Sequence, residues 1–341
     1  MLITENIPLR DLTTFRMGGA ARFFATVTSA ADLTEVFVCA QKENVPVIIL
    51  GGGSNIIVKD GSVLNTLVIK IEIKGFETVR EDTDFVEIKI GAGENWDDVV
   101  RRTVEQGLSG IEAMSFIPGT AGATPIQNVG AYGQEIKDTF ISLEAYEIAT
   151  GEVKTFSKED CRFAYRDSVF KQDLRGKYVI TSITLRLSKS PAGMPQYPGV
   201  QNYFDEKGIT NPTLAQIREA IIAIRTVKLP DPREIASVGS FFKNPICANT
   251  LVQTLREHYP EIPSFAVGDD TSKIPAGWLI DTLGWKGKDF GTLMLYPKNA
   301  LVIVNKGGAT FAELTDVVGQ IKKAVNDRFG IMLEQEPIVI G

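Results

Sequence analysis

The chain has 341 residues, with 36 Lys+Arg against 42 Asp+Glu (a formal charge of −6), three cysteines and a single histidine. Two or three domains are expected at this length, each large enough to bury its own core. Widely spaced cysteines exclude a disulfide framework or a Cys-x-x-Cys site, one histidine excludes a multi-histidine metal centre, and the mild acidity argues against nucleic-acid binding.

The N-terminus, MLITENIPLRD, has no basic or apolar leader region, and no apolar run nears the roughly 18 residues of a membrane span. A cytoplasmic protein with no membrane partner is therefore expected. Residues 29–44 read as a helix capped by Ser29, with Leu33, Val36, Phe37 and Ala40 on one face. An apolar strand at 45–50 runs into Gly51-Gly52-Gly53-Ser54-Asn55. Residues 67–73 and 86–90 alternate as strands, and Asn95 caps a helix carrying Trp96, Val99, Val100 and Val104. Residues 109–133 are rich in Gly, Ala, Pro and Thr and hold no period. Strands follow around 141–145 and 179–187, the first closing in a hairpin turn at Thr150-Gly151. Residues 188–199 read as a loop. Thr213 and Gln216 form a capping box ahead of a helix that is broken at Lys228-Leu229-Pro230-Asp231-Pro232. Helices are expected near 248–258 and 275–283, a strand at 300–305, a helix boxed by Thr310 and Glu313, and a last strand through 331–340. Strands and helices mixed without strict alternation give an α+β class.

Several segments have the chemistry of a site. Glycines at 51–55 let backbone N–H groups approach phosphates, with Ser54 and Asn55 adding side-chain bonds. The run is neither GxGxxG nor a P-loop, and taken alone it fits a tight turn equally well. Residues 115–133 form a long loop of small side chains with room for a large planar or diphosphate ligand, and Gln127 and Asn128 offer amides to a heterocycle. In Tyr165-Arg166-Asp167-Ser168 the guanidinium could grip a carboxylate, although a surface ion pair is the commoner use of that pattern. Ser240, between Gly239 and two phenylalanines, lacks the second glycine of a nucleophile elbow and by pattern alone is a turn serine. Glu334 and Glu336 would share one face of a strand. His258 fits a helix end.

In order, GGGSN at 51–55, IPGTAGATPIQNVGAYGQE at 117–135, YRDSVFK at 165–171, KLPDP at 228–232, GSFFKNP at 239–245, AGWLID at 276–281 and LEQE at 333–336 resemble one family, the UDP-N-acetylenolpyruvoylglucosamine reductases of cell-wall precursor synthesis. The resemblance spans nearly the whole chain. It implies an FAD-binding module of the vanillyl-alcohol-oxidase (PCMH) type in two subdomains, at 1–75 (joined by 330–341) and 76–227, followed by an α+β substrate-binding domain at 228–329. It implies non-covalent FAD, NADPH as hydride donor, and reduction of the enolpyruvyl ether of UDP-N-acetylglucosamine-enolpyruvate to UDP-N-acetylmuramate. A monomer is expected. No separate dinucleotide fingerprint distinguishes NADPH from NADH.

Residue by residue, the resemblance puts Gly51, Gly53, Ser54 and Asn55 on the FAD diphosphate, and Pro118, Gly119, Thr120, Gln127, Asn128, Gly130 and Ala131 along the rest of the cofactor. Arg166 would stabilise the enediolate formed when hydride reaches the terminal enolpyruvyl carbon, Ser240 would donate the proton, and Glu336 would assist near the carboxylate. Tyr165, Tyr197, Lys228, Asn244 and Asn299 would contact the UDP-sugar or nicotinamide groups. Tyr197 resembles the diphosphate tyrosine of the branch with a long loop there. The place two residues after Glu336, often Arg in the family, is Ile338. Two other readings stay open: an FAD-dependent oxidase of the same flavin fold, and a noncatalytic nucleotide-sugar-binding protein.

Overall fold

The computed structural model describes residues 2–61 and 63–341. It divides into two compact units: Met1–Ile7, Ala21–Gly53 and Asn65–Arg225 form the first, and Pro8–Ala20, Ser54–Leu64 and Thr226–Gly341 the second.

The first unit is built on two sheets. One has four strands in the order Ile3–Pro8, Ala20–Val27, Val63–Ile71, Val47–Leu50, and the last two of these pair in parallel. The helix Ala30–Glu43 precedes the Val47–Leu50 strand, and its Ser29 and Asp32 complete a capping box. The other sheet is antiparallel, in the order Val153–Ser157, Phe140–Glu147, Tyr178–Ser188, Phe85–Gly91, Phe76–Glu81. The strand alternation expected at 67–73 and 86–90 is that of the core, where Leu67, Ile69, Ile88 and Ile90 lie buried beside Leu33, Val36 and Trp96. A separate small cluster forms where Ile217 and Ile221 of the helix Leu214–Lys228 meet Val200 and Phe204.

The second unit packs the long helix Phe311–Phe329 and the helices Asn249–His258 and Ala276–Thr282 with short sheets. Ala236–Ser240, Val302–Asn305 and Leu293–Leu295 form one sheet; Ile246–Ala248, Thr271–Lys273 and Phe265–Ala266 form another. Phe15, Phe241, Ile303, Leu279, Ile321 and Phe329 share its core. The Ile338–Ile340 strand returns to pair in parallel with Ile56–Val58.

Two local expectations differ from the structure. Residues 188–199 do not stay a loop to their end, because Pro198 starts a helix, Pro198–Asp205, that buries Val200 and Phe204. A proline at the first helical position costs no hydrogen bond, so the residue that reads as a breaker here begins a helix. The last strand is also shorter than expected. Only Ile338–Ile340 forms a ladder, and 331–337 holds one bridge, Gln335 to Phe242.

Candidate active site

In the first unit the two glycine-rich segments meet. A Cβ at Gly51 would fall 2.6 Å from Thr120 Oγ1, and one at Gly52 would fall 2.7 Å from the Gly119 Cα. Gly53 and Gly119 take positive φ, +65° and +124°. Two backbones at this distance leave no room for side chains between them, which is why both turns carry glycine. The 118–124 loop is in turn hung on the segment before helix Trp96–Glu105. Gly119 accepts from the Trp96 N–H (3.1 Å), and the Ala121 and Gly122 N–H groups donate to the Glu94 and Ala92 carbonyls (2.9 Å each). Neither 51–55 nor 117–131 contains a carboxylate. A pair of uncharged, backbone-lined turns fits an anionic diphosphate cofactor.

The same loop is tied to the turn that presents Arg166. Ala164 and Asp167 exchange both backbone hydrogen bonds (3.1 and 3.2 Å), which leaves Tyr165 and Arg166 at the apex. Arg166 sits there at φ +53°, a conformation a non-glycine residue keeps only when its surroundings impose it. Three bonds impose it. Arg166 Nη2 donates to the Gly130 carbonyl (2.8 Å), Ser168 Oγ donates to the Ile126 carbonyl (2.7 Å), and Asn128 Nδ2 donates to the Ala164 carbonyl (3.0 Å). Asn128 is fully buried; its amide also donates to Glu135 and its oxygen accepts from the Lys137 N–H. Its side chain thus holds the loop and the Arg166 turn together instead of offering its amide to a heterocycle. Gln127 and Ala131 lie half-buried on either side of it. Pro118 precedes the glycine of the tight approach.

Several residues around this loop were not singled out in the sequence. Arg218 grips Asp97 with two bonds (2.5 and 2.9 Å), and the Phe116 N–H donates to the same carboxylate (2.6 Å). Burial opposes ionisation of Asp97, but these bonds and the Arg218 and Arg225 charges outweigh it and hold the carboxyl below the ordinary carboxylate value. Arg225 donates to the Phe116 carbonyl (3.2 Å), and desolvation lowers its pKa. Burial raises that of Tyr132, whose ring meets Tyr197 edge-on at 5.1 Å. The signal that could have found the arginines is their seven-residue spacing, which puts both on one face of the Leu214–Lys228 helix.

In the second unit Ser240 ends the Ala236–Ser240 strand. Ser237 pairs with Val304 and Ser240 with Val302, so two residues of this strand face one of its neighbour. The extra residue is taken up at Gly239, which has φ +71° and open space where a Cβ would stand. A bulge of this kind re-aims the side chain that follows it, here Ser240. Beyond the bulge, the 241–243 backbone pairs with 334–336. The Glu336 N–H donates to the Phe241 carbonyl and the Lys243 N–H to the Glu334 carbonyl, both at 2.9 Å. Ser240 and Glu336 are therefore brought together through adjacent backbone. Glu334 is exposed and ion-paired to Lys243. Asn55 accepts from the Ile338 N–H (2.9 Å), so the end of the glycine run also joins this segment, with Ile338 half-buried at the place where the family often has Arg.

Asn244 Oδ1 accepts from the Ala276 N–H (2.9 Å), linking the GSFFKNP and AGWLID motifs at a helix start. Asn299 closes the turn before the Val302–Asn305 strand, its Oδ1 accepting from the Leu301 N–H (3.0 Å). Lys228 is the exposed last residue of its helix. His258 ends its helix. Among the described residues no acidic, histidine or cysteine cluster could hold a metal ion, and no helix is long and apolar enough to cross a membrane.

An FAD binding domain model matches residues 21–157, and a model for the C-terminal domain of UDP-N-acetylenolpyruvoylglucosamine reductase matches residues 231–340. Fold and loops thus define an FAD-dependent oxidoreductase with a second, α+β domain. Curated relatives named UDP-N-acetylenolpyruvoylglucosamine reductase include those of Flavobacterium johnsoniae, 41% identical over 100% of both chains, and Pseudomonas fluorescens, 39% identical over 98% of each. Among solved structures, the reductase of Thermus caldophilus matches at TM-score 0.70 and 23% identity over 100% of both chains. A 6-hydroxy-D-nicotine oxidase from Arthrobacter nicotinovorans matches at 0.54 and 12%, over 97% of this chain and 86% of its own. These two show the fold.

The chain belongs to the UDP-N-acetylenolpyruvoylglucosamine reductase family. Its activity is that of a UDP-N-acetylmuramate dehydrogenase, using FAD and NADPH in peptidoglycan precursor synthesis. Full-length identity of this kind sets aside both the oxidase and the noncatalytic reading.

Proposed function

We propose that Arg166, Ser240 and Glu336 carry the reduction of the enolpyruvyl ether. Bound FAD supplies the hydride carrier between NADPH and the substrate. Once hydride has reached the terminal enolpyruvyl carbon, negative charge collects on the carbon bearing the carboxylate and spreads into that carboxylate. The Arg166 guanidinium, in a turn whose geometry is fixed by the cofactor loop, stabilises that charge without having to reorganise. Ser240 gives its hydroxyl proton to the same carbon, and the alkoxide left behind recovers a proton from water. Glu336 orients the carboxylate end by hydrogen bonding. The bulge at Gly239 and the pairing of 241–243 with 334–336 are the observation that supports the Ser240 and Glu336 roles.

Gly51, Gly53, Ser54 and Asn55 hold the FAD diphosphate in this reading, and Pro118, Gly119, Thr120, Gln127, Gly130 and Ala131 line the remainder, with Asn128 bracing the loop from behind. Tyr165, Tyr197, Lys228, Asn244 and Asn299 bind UDP-N-acetylglucosamine-enolpyruvate and the nicotinamide. The division at 1–75 with 330–341, 76–227 and 228–329 belongs to the same proposal, as does a monomer acting in the cytoplasm, where NADPH and nucleotide sugars are made. Every proposed role is filled from one chain.

The test is Ser240→Ala, followed in two half-reactions. NADPH should still bleach the flavin absorbance. Reoxidation by the enolpyruvyl substrate should slow by roughly 10²–10³-fold, the usual effect of losing one such group. Wild-type reoxidation in that variant would remove Ser240 from the mechanism.

A further inference from the structure

We infer that Lys243 and Glu334 form a positioning clamp that sets the register of Glu336 against Ser240. This inference rests on the proposed roles of those two residues. Residues 331–337 have no regular ladder; Ile331 and Leu333 are buried and Met332 and Glu334 exposed, the alternation of extended backbone. Glu336 is held between two anchors. One is the parallel strand Ile338–Ile340 on Ile56–Val58. The other is the single bridge of Gln335 to Phe242, with one backbone hydrogen bond on each side of it.

The buried Ile331 and Leu333 on one side and the Ile338–Ile340 ladder on the other hold this segment in register, and between them it meets its neighbour at one bridge only; a slip of one residue there would turn the side chains to the opposite face. Such a slip would present Gln335 where Glu336 now stands. Lys243 and Glu334 are the cross-strand residues next to this bridge, joined by both the backbone hydrogen bond and the side-chain ion pair. The Lys243 side chain is only 16% exposed, which confines the ammonium to one place, whereas Glu334 reaches it from solvent at 70% exposure. The pair favours one register. Phe242, 2% exposed, fixes the opposite side of the same strand in the core, so the clamp closes on a rigid wall.

The test uses the holoenzymes of Lys243→Gln, Glu334→Gln and the charge-exchanged pair Lys243→Glu with Glu334→Lys. Four readouts are taken: FAD content, Tm, flavin bleaching by NADPH, and flavin reoxidation by the enolpyruvyl substrate. The single variants should keep wild-type FAD content, Tm and bleaching, and lose roughly tenfold in reoxidation, less than the ~10²-fold that a 1 Å misplacement costs. The charge-exchanged pair should recover most of that loss, and Lys243→Arg should behave as wild type. A single variant with wild-type reoxidation overturns the clamp. So does a uniform fall in Tm, FAD content and both half-reactions without rescue, which marks a merely structural pair. Ser240→Ala and Glu336→Gln run in parallel. Should they reoxidise at the wild-type rate, the catalytic assignment itself fails; should they be slow while the Lys243 and Glu334 variants are not, the clamp alone fails.

Discussion

Gly52→Ala would place a carbon 2.7 Å from the Gly119 Cα, 3.2 Å from its carbonyl carbon and 3.5 Å from its nitrogen. Carbon atoms pack at about 3.5–4.0 Å, so the overlap is on the order of 1 Å, and both sides of it are backbone. Gly119 has little freedom to retreat, because its carbonyl is bonded to the Trp96 N–H and its φ of +124° is open only to glycine. Relief has to come from parting the 51–53 turn from the 118–120 turn. Overpacking of this sort costs about 1–3 kcal/mol, and at roughly 2–4 °C per kcal/mol for a domain of about 150–250 residues Tm should fall by about 2–12 °C. Both turns are assigned to FAD, and each 1.4 kcal/mol of lost binding is about tenfold in Kd, so FAD should bind on the order of tenfold more weakly. The measurements are the flavin-to-protein absorbance ratio of the purified variant, FAD titration of the apoprotein, and thermal unfolding. Gly319→Ala is the control. It lies in the Phe311–Phe329 helix with nothing within 4 Å of the added carbon, and it should raise stability by about 1 kcal/mol. A Gly52→Ala protein with wild-type Tm and full FAD would refute the reasoning that the two turns are locked backbone to backbone.

Gly239→Ala has no steric neighbour to displace, so its whole effect is the cost of φ +71°, about 1–3 kcal/mol. It should slow reoxidation by the enolpyruvyl substrate more than bleaching by NADPH, and Gly239→Asn, which tolerates left-handed φ, should retain more rate than alanine. Equal rates for Ala and wild type would mean that the bulge does not aim Ser240. Asp97→Asn leaves Arg218 without its carboxylate and should cost about 1–3 kcal/mol at neutral pH, read by urea unfolding. A carboxyl lowered in the folded state adds stability above its unfolded pKa and loses it as pH falls through the folded value. The wild type should therefore lose this contribution as pH falls below about 4, and the gap to Asp97→Asn should close there. A gap that stays constant down to pH 2 would mean that Asp97 is not the group titrating.

Much of the fold was legible because its signals are local. The cap at Ser29 and the capping boxes at Thr213 and Thr310 are each satisfied within three residues, and in the structure all three have both bonds of a box, Asp32 closing the one at Ser29. The strands expected at 67–73 and 86–90 show because Leu67, Ile69, Ile71, Val86, Ile88 and Ile90 are buried in the core, although the first strand ends at Ile71. The edge strand Phe76–Glu81 is exposed at nearly every position and has no such alternation to read. Its strand conformation comes from its neighbour Phe85–Gly91. The helix Pro198–Asp205 was hidden for a related reason: composition marked the prolines of 188–199 as breakers, and the helix shows only in the burial of Val200 and Phe204.

The candidate site divides in the same way. The glycines were visible as unusual composition, but what they are for depends on a partner about 67 positions away in the chain, Gly52 against Gly119. Asn128 was visible as a polar residue in a glycine-rich loop, and its chemistry alone pointed outward to a ligand. Its burial and its bonds to Ala164, Glu135 and Lys137 turn it inward, where it braces the Arg166 turn. Glu334 and Glu336 looked like equals two residues apart. One backbone bridge separates them: it leaves Glu334 in solvent against Lys243 and joins Glu336 through its N–H to the residue after Ser240. Residue type and spacing had marked where chemistry could occur. Which of two similar side chains is proposed to perform it rests on hydrogen bonds between segments about 95 residues apart, and those are a property of the folded backbone alone.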